Sequence, residues 1–499
     1  MKQSQIQPYK FRYAGNISNE YDIDGVCYYS DEYFKQIGEK YNPQLATMSL
    51  CLELASWSSY DTDVWTTDIS APEAKFMNVR NLLIGNEGIG FSDFAVNDAW
   101  SSEPTEDSVG AVIARKQLED STLIALVIRG CGYGKEWVSN FIVGEEGEHK
   151  GFAIAKLSIL YFFNKYITEK KISGRIKLWM VGYSRAGAIA NLIAGDIDDG
   201  YQIVDGITID ANDLYVYTFE APRAAIRAEG KYDNIHNLIN VNDLIPLIAP
   251  RSWGFERYSK DTLLPNILSP NYDKYFNRMQ SFYYQLPNTT TVPYNILDYG
   301  EFVDYKITWK NNSQKEETKP LATKDIFLEV VRFLSENVIP DRKTYCNQFQ
   351  SVIRDIILFI YDNEDNRGLV KKIFEKFNVR KFVNSLKIII DASAPVQRKD
   401  YMPVLHQKII DVAANISIEH NLEGRRRHLI SNIAYISEKI IAAMLEECLN
   451  DNYKPLNYVV AMLKLAFEDK MNLVQSHYGE VSLVWLMSQD ENYSLMHEN

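Results

Sequence analysis

Residues Leu178–Asn191 read Leu-Trp-Met-Val-Gly-Tyr-Ser-Arg-Ala-Gly-Ala-Ile-Ala-Asn, and their pattern decides the fold. An apolar run suited to a buried strand, Ile176–Val181, stops at Gly182, and a run of small residues suited to a helix begins at Arg185. Ser184 is left in the turn between them. A sharp strand-to-helix turn lifts one side chain clear of a sheet, and the start of the helix offers backbone N–H groups to an oxyanion. The turn is tight and its helix lies close on the sheet, so the neighbours must be small, as Gly182, Ala186, Gly187, Ala188 and Ala190 are. The pattern departs from G-x-S-x-G at its last position, where Ala186 adds a methyl. A serine at a helix start is also a common turn or N-cap residue, so this stretch alone leaves both readings open.

Upstream, Val109–Leu118 and Thr122–Arg129 are apolar runs separated by Glu-Asp-Ser, the pattern of a hairpin feeding a sheet. The second run leads into Arg129-Gly130-Cys131-Gly132-Tyr133-Gly134-Lys135-Glu136-Trp137. A phosphate loop needs Ser or Thr after its lysine, and Glu136 stands there, so a nucleotide site is a poor reading. A strand-end loop whose bare backbone N–H groups approach a reacting oxygen suits the glycines better, with a plain glycine turn as the alternative. Gly151–Tyr166 then has helical spacing and delivers the chain to the Ser184 strand, an α/β progression.

Downstream, the strand candidate Leu214–Phe219 is followed by Glu220-Ala221-Pro222-Arg223, and Asn237–Asn242 ends in Asp243-Leu244-Ile245-Pro246. An acid at the C-terminal end of a parallel strand lies on the sheet edge where α/β sites form, the same edge as the Ser184 turn. Asp205, Asp210 and Asp213 precede their strand and belong to the opposite edge. Near the end of the chain, Ser476-His477-Tyr478-Gly479-Glu480 precedes an apolar helix, Val481–Met487. Serine is a weak nucleophile and needs a base that is itself oriented by an acid. Ser184, Asp243 and His477 supply these in the order expected of an α/β-hydrolase. Among rival histidines, His149 and His236 lie upstream of the Asp243 turn, His406, His420 and His428 fall in or beside insertion helices, and His497 is in the tail.

The remaining chain is less specific. Residues 1–40 are polar and tyrosine-rich without a clear period and predict an irregular arm. Pro43–Trp57 has helical spacing, and a second helix is expected near Pro72–Ile84. Residues 261–320, with the aromatic runs Ser281–Leu286 and Tyr305–Trp309, suggest a hairpin or irregular excursion. Residues 324–468 are mostly helical by period, in the segments Ile326–Val338, Tyr345–Tyr361, Leu369–Phe377, Lys381–Asp391, Val404–Ile418, Arg426–Leu449 and Tyr458–Phe467. The expected organisation is therefore an arm and helices at 1–104, an α/β-hydrolase core at 105–260, a mostly helical insertion at 261–469, and a return to the core at 470–499.

Composition narrows the chemistry. A net charge of −13 over 499 residues argues against a nucleic-acid partner, which would need a basic surface. The five cysteines are scattered without C-x-x-C spacing, which argues against a disulfide framework or a structural zinc. No run approaches the roughly 18 apolar residues of a membrane span, and the first ten residues lack the apolar region of a signal peptide, so a cytoplasmic location is expected.

Taken together, Ile128-Arg129-Gly130, Trp137, His149-Lys150-Gly151-Phe152, Val181–Ala188, Tyr217–Arg223 and Asn240–Pro246 resemble the successive blocks of the class 3 (fungal-type) lipases, in a bacterial-looking version. Ser476-His477 followed by Glu480 is similar to that family's histidine block. The resemblance covers roughly residues 105–260 and 470–490 and leaves the insertion unmatched. It implies that Ser184 is the nucleophile, Asp243 the acid and His477 the base, and that the backbone N–H groups of Cys131 and Arg185 form the oxyanion hole. Departures are Ala186 for glycine, Cys131 where Thr or Ser is usual, and Gly479 where proline is common. A serine carboxylic-ester hydrolase is expected, acting on an ester or lipid with at most transient contact with a lipid surface, and needing no metal or organic cofactor. The alternatives are an acyltransferase using the same groups and a non-catalytic scaffold. The insertion enters beside the site, and its expected role is either a cap over the cleft or a plain packed domain.

Overall fold

The computed structural model describes residues 6–13, 23–56, 76–97, 107, 109–130, 136–204, 207–226, 232–240, 243, 245–265, 269–286, 306–310, 316–320, 341–351, 353–355, 358 and 477–493. The chain divides into two compact units, residues 1–297 with 473–499 and residues 298–472.

In the first unit, β1 (Gln7–Tyr13) and β2 (Ile23–Tyr29) pair antiparallel, from Gln7 opposite Tyr29 to Tyr13 opposite Ile23. This replaces the irregular arm expected for residues 1–40. The hairpin forms because Phe11, Tyr13, Ile23, Cys27 and Tyr29 alternate with exposed residues and share one buried cluster, the period of a half-buried strand. Helix α1 (Pro43–Ala55) follows, capped by the Asn42 side chain on the N–H groups of Gln44 and Leu45 and started by Pro43. It is buried nearly all round, as expected of a helix pressed between a sheet and other elements. The helix expected near Pro72–Ile84 is α2 (Met77–Ile84) within the described residues.

The central sheet has seven strands. In chain order they are β3 (Ser92–Val96), β4 (Ala111–Gln117), β5 (Thr122–Ile128), β6 (Ile176–Tyr183), β7 (Leu214–Phe219), β9 (Ile235–Ile239) and β11 (Asp261–Leu263). Their spatial order is β11-β9-β7-β6-β5-β4-β3. The pairs from β5 to β11 are parallel, and β3 and β4 add an antiparallel edge. The short strands β8 (Ala225–Ile226) and β10 (Phe255–Glu256) pair separately. Helices α3 (Glu136–Ser139), α4 (Lys150–Glu169) and α5 (Arg185–Asp198) connect the strands.

Both faces of the sheet are covered, which explains why its central strands read as continuous apolar runs. On β6, Trp179, Val181 and Tyr183 join the cluster that holds α1 and the hairpin, while Ile176, Leu178 and Met180 join the cluster of α4 and α5. Trp179 is fully buried, and its indole N–H donates to Ser49 Oγ of α1 at 2.8 Å, so the largest side chain of the strand is also hydrogen-bonded. Burying such a side chain stabilises the fold by about 1.5–3 kcal/mol.

Helix α6 (Tyr272–Tyr283) corrects the expectation of an excursion at Ser281–Leu286. Met279, Phe282 and Tyr283 are buried at helical spacing in the cluster that also contains the last helix of this unit. In the second unit, the hairpin expected near Tyr305–Trp309 is formed by β12 (Lys306–Lys310) and β13 (Glu316–Pro320). The one-turn helix α7 (Arg342–Tyr345) runs into a wider turn at Cys346–Gln350. The other helices expected between 324 and 468 lie outside the described residues. The first unit closes with α8 (Gly479–Gln489).

Candidate active site

The C-terminal ends of β6, β7 and β9 converge on one edge of the sheet. Ser184 follows Tyr183 directly and has φ 54° and ψ −124°, a conformation that side-chain-bearing residues seldom adopt. Its N–H donates to Phe219 O of the neighbouring strand at 2.8 Å, and its carbonyl accepts the first helical hydrogen bond, from Ala188. The small residues around it are needed for space. A Cβ on Gly182 would lie 2.4 Å from Ala186 O, and one on Gly187 would lie 2.9 Å from the Ala221 Cβ. A buried, mostly parallel sheet carries a strained serine on the turn from its central strand into a helix.

The core is that of an α/β-hydrolase.

The three groups expected at this edge are brought together. His477 Nε2 lies 2.8 Å from Ser184 Oγ, and His477 Nδ1 lies 2.5 Å from Asp243 Oδ2. The Asp243 side chain is fully buried, while that of His477 is 18% exposed. Asp243 sits in a turn four residues beyond Ile239, and its Oδ1 accepts the Ile245 N–H at 2.9 Å. One oxygen is thus held by the backbone and the other faces the imidazole. His477 lies two residues before α8, and Tyr183 donates its phenol hydrogen to the His477 carbonyl. The rings of the two residues are 5.2 Å apart.

Arg185 opens α5, so its backbone N–H points out of the helix start beside Ser184. Its buried guanidinium donates to Ser139 Oγ at 2.9 and 3.1 Å, which ties α5 to α3. Cys131, the other expected oxyanion donor, lies outside the described residues. Just before it, the Gly130 N–H donates to Glu53 Oε1 of α1. His149 is buried and stacks on Phe152 at 4.1 Å, and His236 is buried with Nε2 on Gly38 O, so neither takes the place of His477. Asp213 pairs with Arg175 at the opposite end of the sheet. His406, His420, His428 and His497 lie outside the described residues.

Tyr183, Glu220 and Ser482 also belong to this edge and are absent from the sequence-derived set. Glu220 is fully buried, and burial together with the Asp243 charge pushes its carboxyl well above the usual carboxylate range. The feature that selects Asp243, an acid at the end of an apolar strand, applies equally to Glu220 after Phe219.

No protein-family model matches this chain, and no curated protein matches its sequence. Among solved structures, a deletion mutant of a Rhizomucor miehei lipase propeptide complex is 20% identical, covering 45% of this chain and 67% of its own, with a TM-score of 0.31. The Rhizomucor miehei triacylglyceride lipase is 18% identical, covering 48% and 82%, with a TM-score of 0.30. A lipase from Rhizopus microsporus var. chinensis is 14% identical, covering 36% and 62%, with a TM-score of 0.27. Similarity at this level bears neither on activity nor on substrate.

Proposed function

We propose that this protein is a serine carboxylic-ester hydrolase acting through an acyl-enzyme on Ser184. The observation that carries the reading is the continuous hydrogen-bonded line from Ser184 Oγ through the His477 ring to Asp243 on the active edge of the sheet. In the first half-reaction, Oγ attacks the ester carbonyl carbon as its proton passes to His477 Nε2, and the carbonyl electron pair moves to oxygen. The Arg185 N–H at the helix start donates to that oxygen. Collapse of the adduct breaks the bond to the alcohol, which leaves with the proton from Nε2. Water then gives one proton to Nε2 as its oxygen bonds to the acyl carbon. Collapse of this second adduct breaks the bond to Oγ, which takes the proton back from Nε2 as the acid leaves. Throughout, Asp243 accepts from Nδ1–H and holds the tautomer in which Nε2 is basic. The substrate is an ester or lipid, and none of these steps calls on a metal or cofactor.

The test is covalent labelling by a fluorophosphonate probe in wild type, Ser184→Ala and His477→Ala, with turnover of nitrophenyl esters of increasing chain length. Labelling and turnover are expected in wild type and lost in both variants, and the chain-length profile separates esterase from lipase. A folded wild type that neither labels nor turns over any ester returns the fold to a scaffold role.

A further inference from the structure

The turn that carries Asp243 is held at both ends by buried charged side chains that have no part in the steps above. At its start, the Asn240 N–H donates to the two oxygens of Glu220 at 2.9 and 3.1 Å, and Glu220 Oε1 also accepts the Ser482 hydroxyl of α8 at 2.6 Å. At its end, Arg257 Nη1 donates to the Pro246 carbonyl at 2.6 Å. The same nitrogen donates to the Ala221 carbonyl at 2.9 Å, in the turn that follows β7. One nitrogen thus joins the turns at the ends of two neighbouring strands, β7 and β9.

Each of those turns bears on the triad. Ala221 lies against the first turn of α5, where a Cβ on Gly187 would come within 2.9 Å of its own, and Phe219, two residues before it, accepts the Ser184 N–H. Pro246 follows Ile245, whose N–H holds Asp243 Oδ1. Fixing Pro246 against Ala221 therefore fixes Asp243 against the Ser184 turn. Arg257 is in turn held rigidly. Its Nε and Nη2 donate to the two oxygens of Asp261 at 2.8 and 2.5 Å, a bidentate pair that leaves Nη1 aimed at the carbonyls, because the guanidinium is planar. The next residue, Tyr258, is pinned by its backbone: its N–H donates to Asn191 Oδ1 of α5 at 2.9 Å, and its carbonyl accepts from Asn191 Nδ2 at 3.0 Å and Asn237 Nδ2 of β9 at 2.7 Å.

We propose that Arg257 is a positioning residue for the triad: through the Pro246 and Ala221 carbonyls it sets the Asp243 turn against the Ser184 turn, and with it the hydrogen bond from His477 to Asp243. This role rests on the hydrolase reading. Arg257 touches no reacting atom, and its charge is matched by Asp261.

The experiment compares Arg257→Lys, Asp261→Asn and Ser49→Ala in the full chain by kcat and KM on a nitrophenyl ester, by urea denaturation, and by the downfield proton resonance of His477 Nδ1–H, assigned by its loss in His477→Ala. Lysine keeps a charge for Asp261 but lacks the fork that reaches Asp261 and both carbonyls at once. Arg257→Lys is expected to lower kcat by about 10–100-fold with KM within about twofold, because misplaced catalytic groups lose rate rather than binding, and to displace the resonance. Asp261→Asn loosens the guanidinium from its far side and leaves the carbonyls in place, so kcat is expected to fall by about 2–10-fold with KM unchanged. Ser49→Ala removes the Trp179 hydrogen bond in the core and is expected to lower the urea midpoint with kcat, KM and the resonance as in wild type. Wild-type kcat and an unmoved resonance in Arg257→Lys overturn the proposal, and in Asp261→Asn they do so should Arg257→Lys not fold. A matching fall of kcat in Ser49→Ala overturns it too, since general loosening would then account for the loss. The resonance reports on the pairing of His477 with Asp243 whether or not any ester is hydrolysed, whereas a wild type inert to fluorophosphonate and ester overturns the hydrolase reading.

Discussion

Tyr183 precedes Ser184 in the chain and holds His477 through its backbone: its phenol donates to the carbonyl of His477, which is 294 residues away. The last residue of the central strand is thus joined to Ser184 through the chain and to His477 through a hydrogen bond. Tyr183 is buried, and burial with the surrounding carboxylates raises its phenol well above its ordinary value, so it stays a donor across the working range of pH. Tyr183→Phe keeps the ring against His477 and deletes only the donor. The expected result is a fall in kcat of about tenfold with KM nearly unchanged, and a destabilisation of about 1–2 kcal/mol from the unpartnered carbonyl. Unaltered kcat in steady-state assays would show that α8 alone fixes His477.

Asp243 accepts at one oxygen from His477 and at the other from the Ile245 backbone. Asp243→Asn would present an amide to Nδ1, and the imidazole would have to place its proton on Nε2 to satisfy it. The base would then face Ser184 in the wrong tautomer. A loss of kcat of about 10³–10⁴ with an intact fold is expected. Fluorophosphonate labelling rates measure it directly, and labelling at the wild-type rate would remove Asp243 from the mechanism.

The Ser184 turn, the parallel strands around it and the late histidine were legible because each depends on local signals: small residues at a tight turn, unbroken apolar runs in strands buried on both faces, and polar residues at strand ends. The amino-terminal hairpin was not. Its buried set of Phe11, Tyr13, Ile23, Cys27 and Tyr29 alternates correctly, but Tyr9 and Tyr28 fall on intervening or part-exposed positions and blur the period. Helix α6 was obscured by the Pro- and Asn-containing sequence around it, although Tyr272, Tyr275, Phe276, Met279, Phe282 and Tyr283 all pack on one cluster. Glu220 was visible as an acid at a strand end, yet only the fold places Ser482 and Asn240 against it. Pairings of that kind depend on distances through space that no spacing along the chain encodes.

Gly182 tests the close approach of helix and strand. The atoms a Cβ would meet are Ala186 O at 2.4 Å, Ala186 C at 2.6 Å and Gly187 N at 2.8 Å, all backbone in the first turn of α5. No side-chain rotation relieves such a clash, so the helix start must shift. Gly182→Ala is expected to cost about 1–3 kcal/mol and to displace Ser184 enough to lower kcat at least tenfold. Urea denaturation and ester turnover measure the two effects, and a variant normal in both would mean that the turn has room to spare.

His236 gives the first unit a pH dependence separate from catalysis. It lies in β9 between the rings of Tyr41 and Tyr217, with Nε2 on Gly38 O, and the charged group acting on it is Asp233. Burial is the largest influence and holds the imidazole below its ordinary value of 6.5, while the Gly38 hydrogen bond and Asp233 oppose it only in part. A histidine depressed in the folded state binds its proton first in the unfolded chain. Its contribution is therefore complete above about pH 6.5 and is lost as pH falls through that value toward the folded one, at up to about 1.4 kcal/mol per pH unit. His236→Gln retains a donor for Gly38 and cannot be protonated. The variant is expected to be less stable than wild type at pH 7.5 but to lose less on acidification, so the difference between their urea midpoints narrows between pH 7 and 5. Parallel pH profiles for the two proteins would place the acid sensitivity of the fold elsewhere.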